Sequence, residues 1–440
     1  MSATNSYRPR ANQGRRVVVT GIGVVTPLGS TIDTFWNGLT NGRSGISTIS
    51  SFDADNYPVR IAAEVKNWTL QDIGESPRQW PRCPRQTKFS LGAGISAVND
   101  SGIAQSIDNP HRFGVYLGCG EPFVPFDSFT QSMSTDDAPT KPLRVFDPDI
   151  TQQYSPNMPA LQLAARFGAR GPNLNCIAAC VSATQAIGQS MRMIRRGDAD
   201  VMLCGGAHSC IHEFGVTGFS RLSALSQKND SPTEASRPFD RDRDGFVIGE
   251  GAAVLVAEEY EHARNRGAMI YGEITGYGAA QDAYRVTDTH PEGRGTISAM
   301  KRALADSRLD PSDLDYINAH GTGTQLNDKV ETESIKRAIG PHAFNTPISS
   351  IKSMLGHSTT ACGAIELAAC LLAMQSHVIP PTINLQNADP NCDLDYVANT
   401  ARDHQCQHIL SNNIGFGGQN AALVISNISQ SVTGTVRRAA

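Results

Sequence analysis

Two runs of small residues, CVSATQAIGQSMRMI at 180–194 and HSTTACGAIELAACLLAM at 357–374, constrain the fold of this chain more than any other feature. Ala, Ser, Thr and Gly stand on nearly every face of the helix each run predicts, and charge is almost absent from the first two turns. Such a helix has no wet side; it must be buried all round, where backbones approach closely. Two of them in one chain predict a central pair shared by two similar halves.

The rest of the sequence fits that plan. From Arg16 onward, short β-branched runs alternate with longer helical patterns, the mark of an α/β protein whose strands are covered on both faces. The clearest strands are 17–23, 114–120, 200–207 and 251–259, followed by 272–278, 315–321, 346–353 and 421–426. The charged segment 259–267 makes a natural junction, and a length of 440 residues allows two or three domain-sized units. We expect a mobile tail at 1–15, an N-terminal half at 16–264, a C-terminal half at 265–428 and a second tail at 429–440.

Composition removes several function classes. Hydrophobic residues make up 40% and charged residues 18%, too rich in core-formers for a disordered chain. Lys+Arg number 38 against 42 Asp+Glu, a net charge of −4, with no basic block to track phosphates, so no nucleic-acid partner is expected. The ten Cys are scattered and no secretory leader precedes them, which favours reduced thiols and the cytoplasm. No window approaches the roughly 18 consecutive apolar residues of a spanning helix, so no membrane role is expected.

Three familiar patterns fail on inspection. VVVTGIGVVTPLG offers Gly21 and Gly23 but Thr26 where a dinucleotide loop needs its third glycine, and Pro27 interrupts the helix. DRDRDG at 240–245 begins like a calcium loop, yet Gly251 stands at the twelfth position; Asp244 and Glu250 are expected to order the loop. Cys204, His208, Cys210 and His212 fit no zinc spacing.

Cys180 is different. A thiol in the first turn of a buried, uncharged helix meets the positive end of the helix dipole and free N–H groups, which favour thiolate and make it a candidate nucleophile. Cys176 lacks that support and is expected in the core. His320 and His357 each follow a strand, where α/β sheets collect their chemistry. One Cys and two His so placed point to acyl transfer.

VVVTGIGVVTPLG, IAACVSA, SRPFDRDRDGFVIGEGA, NAHGTGTQLNDKVE, KSMLGHSTTACGAIE, PPTINL and NNIGFGGQNA, in this order over residues 16–427, resemble the β-ketoacyl-acyl-carrier-protein synthases of the type II class. The resemblance implies a thiolase-like fold, with two similar βαβαβαββ halves layered αβαβα, normally as a homodimer. It places Cys180 and His357 at equivalent starts of the two central helices. It also implies an elongating synthase of fatty acid biosynthesis, in which Cys180 carries the acyl chain delivered by acyl carrier protein and malonyl-carrier protein is decarboxylated to extend it. Neither cofactor nor metal is expected.

By the same resemblance the catalytic set is Cys180, His320, His357 and the supporting Lys352. The backbone N–H groups of Cys180 and Phe416 form the oxyanion hole, and Phe416 gates the acyl pocket. Thr322, Thr324, Phe219 and Gly417 meet the pantetheine arm, while Glu366, Asp328 and Glu331 give structural support. The sequence departs from the pattern at Glu121 and Ile414, both expected at the acyl pocket, and at Val181 beside the nucleophile. Arg82, Arg85 and Lys88 form a basic cluster suited to the acidic carrier. Two rivals share much of this pattern: a stand-alone ketosynthase of a specialised lipid or polyketide pathway, and a non-catalytic chain-length subunit, against which the presence of Cys180 argues. A degradative thiolase is disfavoured by the two histidines together.

Overall fold

The computed structural model describes residues 14–76, 80, 83–126 and 152–428. The expected tails, apart from residues 14–15, and Arg82 lie outside the described residues. In the first half, β1 (Val17–Val25), α1 (Arg85–Ser101), β2 (Phe113–Cys119), α2 (Met158–Phe167), β3 (Asn173–Cys176), α3 (Ser182–Arg196), β4 (Val201–His208) and β5 (Gly251–Glu259) follow in turn. The second half repeats the series with β6 (Gly272–Gln281), α4 (Arg294–Ser307), β7 (Tyr316–Asn318), α5 (Gln325–Ile339), β8 (Ile348–Ser349), α6 (Cys362–Ser376), β9 (His408–Gly415) and β10 (Gln419–Ser426). Each half is thus βαβαβαββ, as the resemblance implied.

The ten strands form one hydrogen-bonded sheet in the order β8-β7-β9-β10-β6-β1-β5-β4-β2-β3, which reads as one half followed by its mirror-ordered partner. The halves meet where β1 runs antiparallel to β6, with Val18 opposite Glu273. Outer helices α1 and α2 cover β1, β2 and β5, and α4 covers β6 and β10 with α5 beside it. Between the halves, α3 packs on β2, β4 and β10, α6 packs on β4, β5 and β9, and the two helices touch. These are the five layers of the thiolase-like fold.

The small residues earn their place at that centre. A Cβ on Gly188 of α3 would fall 2.3 Å from the Tyr277 ring, and one on Gly363 of α6 would fall 2.0 Å from Thr184 Oγ1 of α3. No larger side chain would allow the helices this approach. Every residue of α6 from Cys362 to Met374 is buried. Contrary to the sequence expectation, the segment Thr359–Ser376 is long and apolar enough to cross a membrane, but 89% of it is buried within the protein. Thr, Ser and Glu366 break its apolar run and hide the signal.

Two strands of this ten-stranded sheet escaped the sequence reading. β3 is the short edge strand NLNC, without a β-branched residue, and β9 carries Ser411, Asn412 and Asn413 in its buried stretch. Both are polar where strand propensity looks for apolar branching.

Candidate active site

The chain leaves β3 at Cys176, turns through Ala179 at φ 47°, and enters α3 at Ser182. An alanine in this left-handed region carries about 1–2 kcal/mol of strain. Ser182 Oγ holds the turn by accepting from Ala178 N at 2.8 Å and donating to Ala179 O at 2.7 Å. Cys180 therefore sits at the tip of a strained turn just ahead of the helix, not in its first turn as expected. Cys176 is half-buried against the core.

His357 is fixed by its backbone: its N–H donates to Val247 O at 2.7 Å and its carbonyl accepts from Gly249 N at 3.0 Å. Its Nε2 lies 3.0 Å from Cys180 Sγ. The His320 ring, just beyond β7, stands edge-on to His357 at 5.2 Å and 85°. One ligand atom from each of Cys180, His320 and His357 falls within 4.8 Å of the others. Such a trio could in principle hold a metal ion. A zinc ion at its usual bond lengths would set sulfur and nitrogen about 3.5 Å apart, farther than the observed Cys180–His357 contact.

Behind the trio is a buried polar column. Lys352 Nζ is ion-paired with Glu366, whose other oxygen accepts from Asn413 Nδ2 at 2.6 Å. Asn413 Oδ1 takes the Thr184 hydroxyl at 2.5 Å, and Asn413 Nδ2 reaches His320 Nδ1 at 3.5 Å. That contact makes Nδ1 the acceptor and assigns the ring hydrogen of neutral His320 to Nε2. Asn413 is the residue the sequence reading missed; it lies inside the quoted NNIGFGG motif but carries no charge or nucleophilic group to single it out.

Electrostatics revise one expectation. Burial pushes the Cys180 thiol up to about 11, against the opposing pull of the Lys352 charge and of the Phe416 and Cys180 backbone N–H groups. Burial outweighs the helix start, so Cys180 rests as a thiol and not as a thiolate. Burial, reinforced by the Lys352 charge, also holds His320 and His357 well below the usual imidazole range, so both rings are neutral. Burial alone would lower Lys352, but Glu366 more than restores it and the ammonium stays charged.

The His320 loop is suspended from α5. Glu331 accepts from His320 N and Gly321 N at 2.7 Å each, and Asp328 accepts from Thr322 N at 3.1 Å and Gly323 N at 3.2 Å. Four consecutive N–H groups thus point away from the cavity. Burial, opposed by these bonds, raises Glu331 to about 7.

A cavity of about 320 Å³ opens above Cys180 and both histidines. Thr322, Thr324, Phe219, Ile414 and Phe416 line it, together with Asp244 and Phe246. Thr324 also caps α5, so turn chemistry and wall position coincide there. Glu121 is exposed and does not line this cavity. Gly417 is also off the wall, exposed at φ 80°, with its N–H donating to Val286 O at 2.5 Å. Val181, beside the nucleophile, is fully buried in the core.

The remaining motifs resolve into structure. Arg85 grips Glu250 at 2.9 and 3.0 Å, so it is not a free member of a basic cluster, and Lys88 is half-buried. Glu250 also receives Val65 N and the Ser209 hydroxyl, and Asp244 receives Gln227 N, which makes both carboxylates loop-ordering. In DRDRDG, Asp240 is occupied by the N–H groups of Asp242, Gln386 and Asn387. Cys204 is buried in β4, and His212 caps the helix that follows it.

Two family models match the chain: Beta-ketoacyl synthase, N-terminal domain, over residues 14–263, and Beta-ketoacyl synthase, C-terminal domain, over residues 271–386. The chain is 44% identical over 420 residues to a Streptomyces cyaneus protein named putative polyketide beta-ketoacyl synthase 1, spanning 94% of this chain and 98% of that one. It is 42% identical over 409 residues to 3-oxoacyl-[acyl-carrier-protein] synthase 2 of Synechocystis sp., spanning 93% and 97%. Among solved structures, a type II PKS acyl-carrier protein in complex with its ketosynthase, bound to the hexaketide, matches with a TM-score of 0.85 at 32% identity, covering 95% of this chain and 100% of that chain.

Proposed function

The chain belongs to the β-ketoacyl synthase family and is a condensing enzyme of the acyltransferase class, and from that premise we propose that it elongates acyl thioesters of acyl carrier protein in fatty acid biosynthesis. The observation that carries the reading is the 3.0 Å contact between Cys180 Sγ and His357 Nε2 at the floor of a cavity shared with His320.

In the first step Cys180 Sγ attacks the thioester carbonyl and its proton goes by way of solvent to the departing pantetheine sulfur, while His357 Nε2–H donates to Sγ. The oxyanion forms beside the N–H groups of Cys180 and Phe416, both of which already act on Sγ. In the second step the malonyl carboxylate leaves as carbon dioxide, and its bonding pair becomes an enolate. Neutral His320 and His357 donate hydrogen bonds to the enolate oxygen, His357 Nε2 being free to do so once Sγ is acylated. The enolate carbon attacks the acyl-Cys carbonyl, and the tetrahedral adduct expels the Cys180 thiolate, which takes a proton from solvent to return to the resting thiol. Lys352 acts through its charge, keeping both rings neutral. Thr322 and Thr324 present hydroxyls to the arm, with Phe219 at the same wall.

The same proposal takes residues 16–264 and 265–428 as the two halves, and the working unit as a cytoplasmic homodimer that needs no cofactor. Its support is the edge strand β3, which leaves Leu174 and Ile177 exposed beside an unpaired ladder. A second reading, a ketosynthase of a polyketide pathway, is favoured by the 44% identity to the Streptomyces cyaneus protein.

Intact-protein mass spectrometry after incubation with acyl carrier proteins of increasing chain length tests the reading. An acyl mass on the parent but not on Cys180→Ala is expected. Preference for saturated chains supports fatty acid synthesis, and preference for β-keto chains supports the polyketide route. A parent that no chain labels would overturn both and point to a non-catalytic subunit.

A further inference from the structure

Arg243 is almost wholly buried, yet it belongs to no step of the chemistry above. Its guanidinium spends all three nitrogens on separate acceptors. Nε donates to Thr324 O at 3.1 Å, Nη2 to Gln325 O at 3.1 Å, and Nη1 to Asp240 O at 2.7 Å and Asp389 Oδ2 at 2.6 Å. Asp328, which suspends the Thr322 and Gly323 N–H groups, lies 3.7 Å from Nε. The contact is reciprocated, because Gln325 Nε2 donates back to Arg243 O and Gly245 N donates to Gly323 O at 3.1 Å.

These bonds join two walls of the cavity. Asp244, Gly245 and Phe246 line one side, and Thr322, Thr324 and Gln325 line the other. A buried charge held this way is expensive to desolvate and is compensated only if its partners stay in place. The carbonyls it holds belong to Thr324, a residue of the cavity wall whose hydroxyl lies 3.0 Å from that of Thr322, and to the first residue of α5.

We propose that Arg243 is a positioning residue for the thioester arm: by clasping the 240–246 loop to the 322–325 loop, it sets the width of the cavity mouth and aims the Thr322 and Thr324 hydroxyls at the amides of pantetheine. The proposal rests on the ketosynthase reading and adds a residue to it. The planar fork is essential to the role, since lysine would keep the charge facing Asp328 and Asp389 but could not reach Thr324 O and Gln325 O together.

The test compares two substrates that share a reacting carbonyl: an acyl pantetheine thioester, and the same acyl group on ethanethiol, which lacks both amides. The second-order rate constant for acylation of Cys180 is read by intact mass. In Arg243→Lys, the preference for the pantetheine thioester over the ethyl thioester is expected to fall about tenfold, the range set by one or two lost hydrogen bonds. Equal losses on both substrates, or no loss on either, would overturn the proposal and leave Arg243 as scaffold. Should Arg243→Lys fail to fold, Asp389→Asn carries the test, since it weakens the anchor without touching the fork. A fall in the same ratio of about threefold supports the role, and an unmoved ratio rejects it. A parent that neither thioester labels removes the ketosynthase reading itself, and this proposal with it.

Discussion

The turn that delivers Cys180 and the turn that leads into α6 are built to one plan and used in different ways. Both precede helices of 15 residues, and both hold a residue in the left-handed region three positions before the helix, Ala179 at φ 47° and Thr359 at φ 43°. By that register the counterpart of Cys180 is Thr360, not His357 as the sequence suggested. Thr360 is structural: its hydroxyl donates to Ala207 O at 3.1 Å and accepts from Gly120 N at 3.3 Å. His357 comes from three residues earlier, where the first half has the exposed Ile177. The difference lies in the approach. The second half reaches its helix through an added turn, Lys352–Leu355, which carries the lysine and brings a histidine to the nucleophile. A repeated scaffold offers two launching points, and the chemistry comes from making one approach longer than the other.

The strongest way to break the comparison is to exchange the two counterparts' losses. Cys180→Ala should abolish acyl labelling, whereas Thr360→Val should keep it and lose only about 1–3 kcal/mol of stability from the stranded Gly120 N–H and the missing bond to Ala207. Intact mass and a denaturant titration read the two effects. Loss of labelling in Thr360→Val, with the fold retained, would contradict the assignment of the second turn to structure.

The two histidines sharpen the point, because only His357 touches the sulfur. Removing either donor should slow malonyl decarboxylation by about 10²–10³. Acylation should slow in His357→Ala and be nearly spared in His320→Ala, as measured by carbon dioxide release against acyl mass. A folded thiol raised to about 11 is protonated below that pH, so alkylation of Cys180 by iodoacetamide should climb about tenfold per pH unit from 7 to 10. A plateau reached below pH 8 would show that the helix start, and not burial, governs the thiol.

The lysine of the longer approach has a cost that the first half avoids. Lys352→Met leaves Glu366 buried without its cation and should destabilise the protein by about 3–5 kcal/mol. Lys352→Met with Glu366→Leu should recover most of that loss in thermal melts while leaving decarboxylation impaired. A double variant no more stable than the single one would mean that the pair is not an isolated charge couple.

How much of this was legible in the sequence follows the same division. The small-residue runs announced α3 and α6, and the β-branched runs announced eight of the ten strands, because burial on every face leaves a compositional trace. Cys180, His320 and His357 were legible as reactive side chains after strands. What could not be read were quantities that depend on closeness in space: the register that makes Thr360 the counterpart of Cys180, the Asn413 bridge, the Arg243 clasp, and the exposure of Glu121. Nor could the sequence weigh burial against the helix dipole at the thiol, since that balance is a property of the packed site.

The smallest expected effects test the strain the two turns share. Glycine adopts the left-handed conformation freely, which relieves about 1–2 kcal/mol at an alanine. Glycine also frees the unfolded chain by about 0.4–1 kcal/mol. Ala179→Gly should therefore stabilise the protein by at most about 1.6 kcal/mol. Thr359, β-branched and therefore stiffer at its side chain, is worse suited to the left-handed turn, so Thr359→Gly should gain more. Only the first substitution loosens the turn carrying the nucleophile, so only it should slow acylation. If denaturant midpoints instead show both variants losing stability, the side chains of the two turns hold them more tightly than their backbones strain them, and the shared geometry is then paid for by packing.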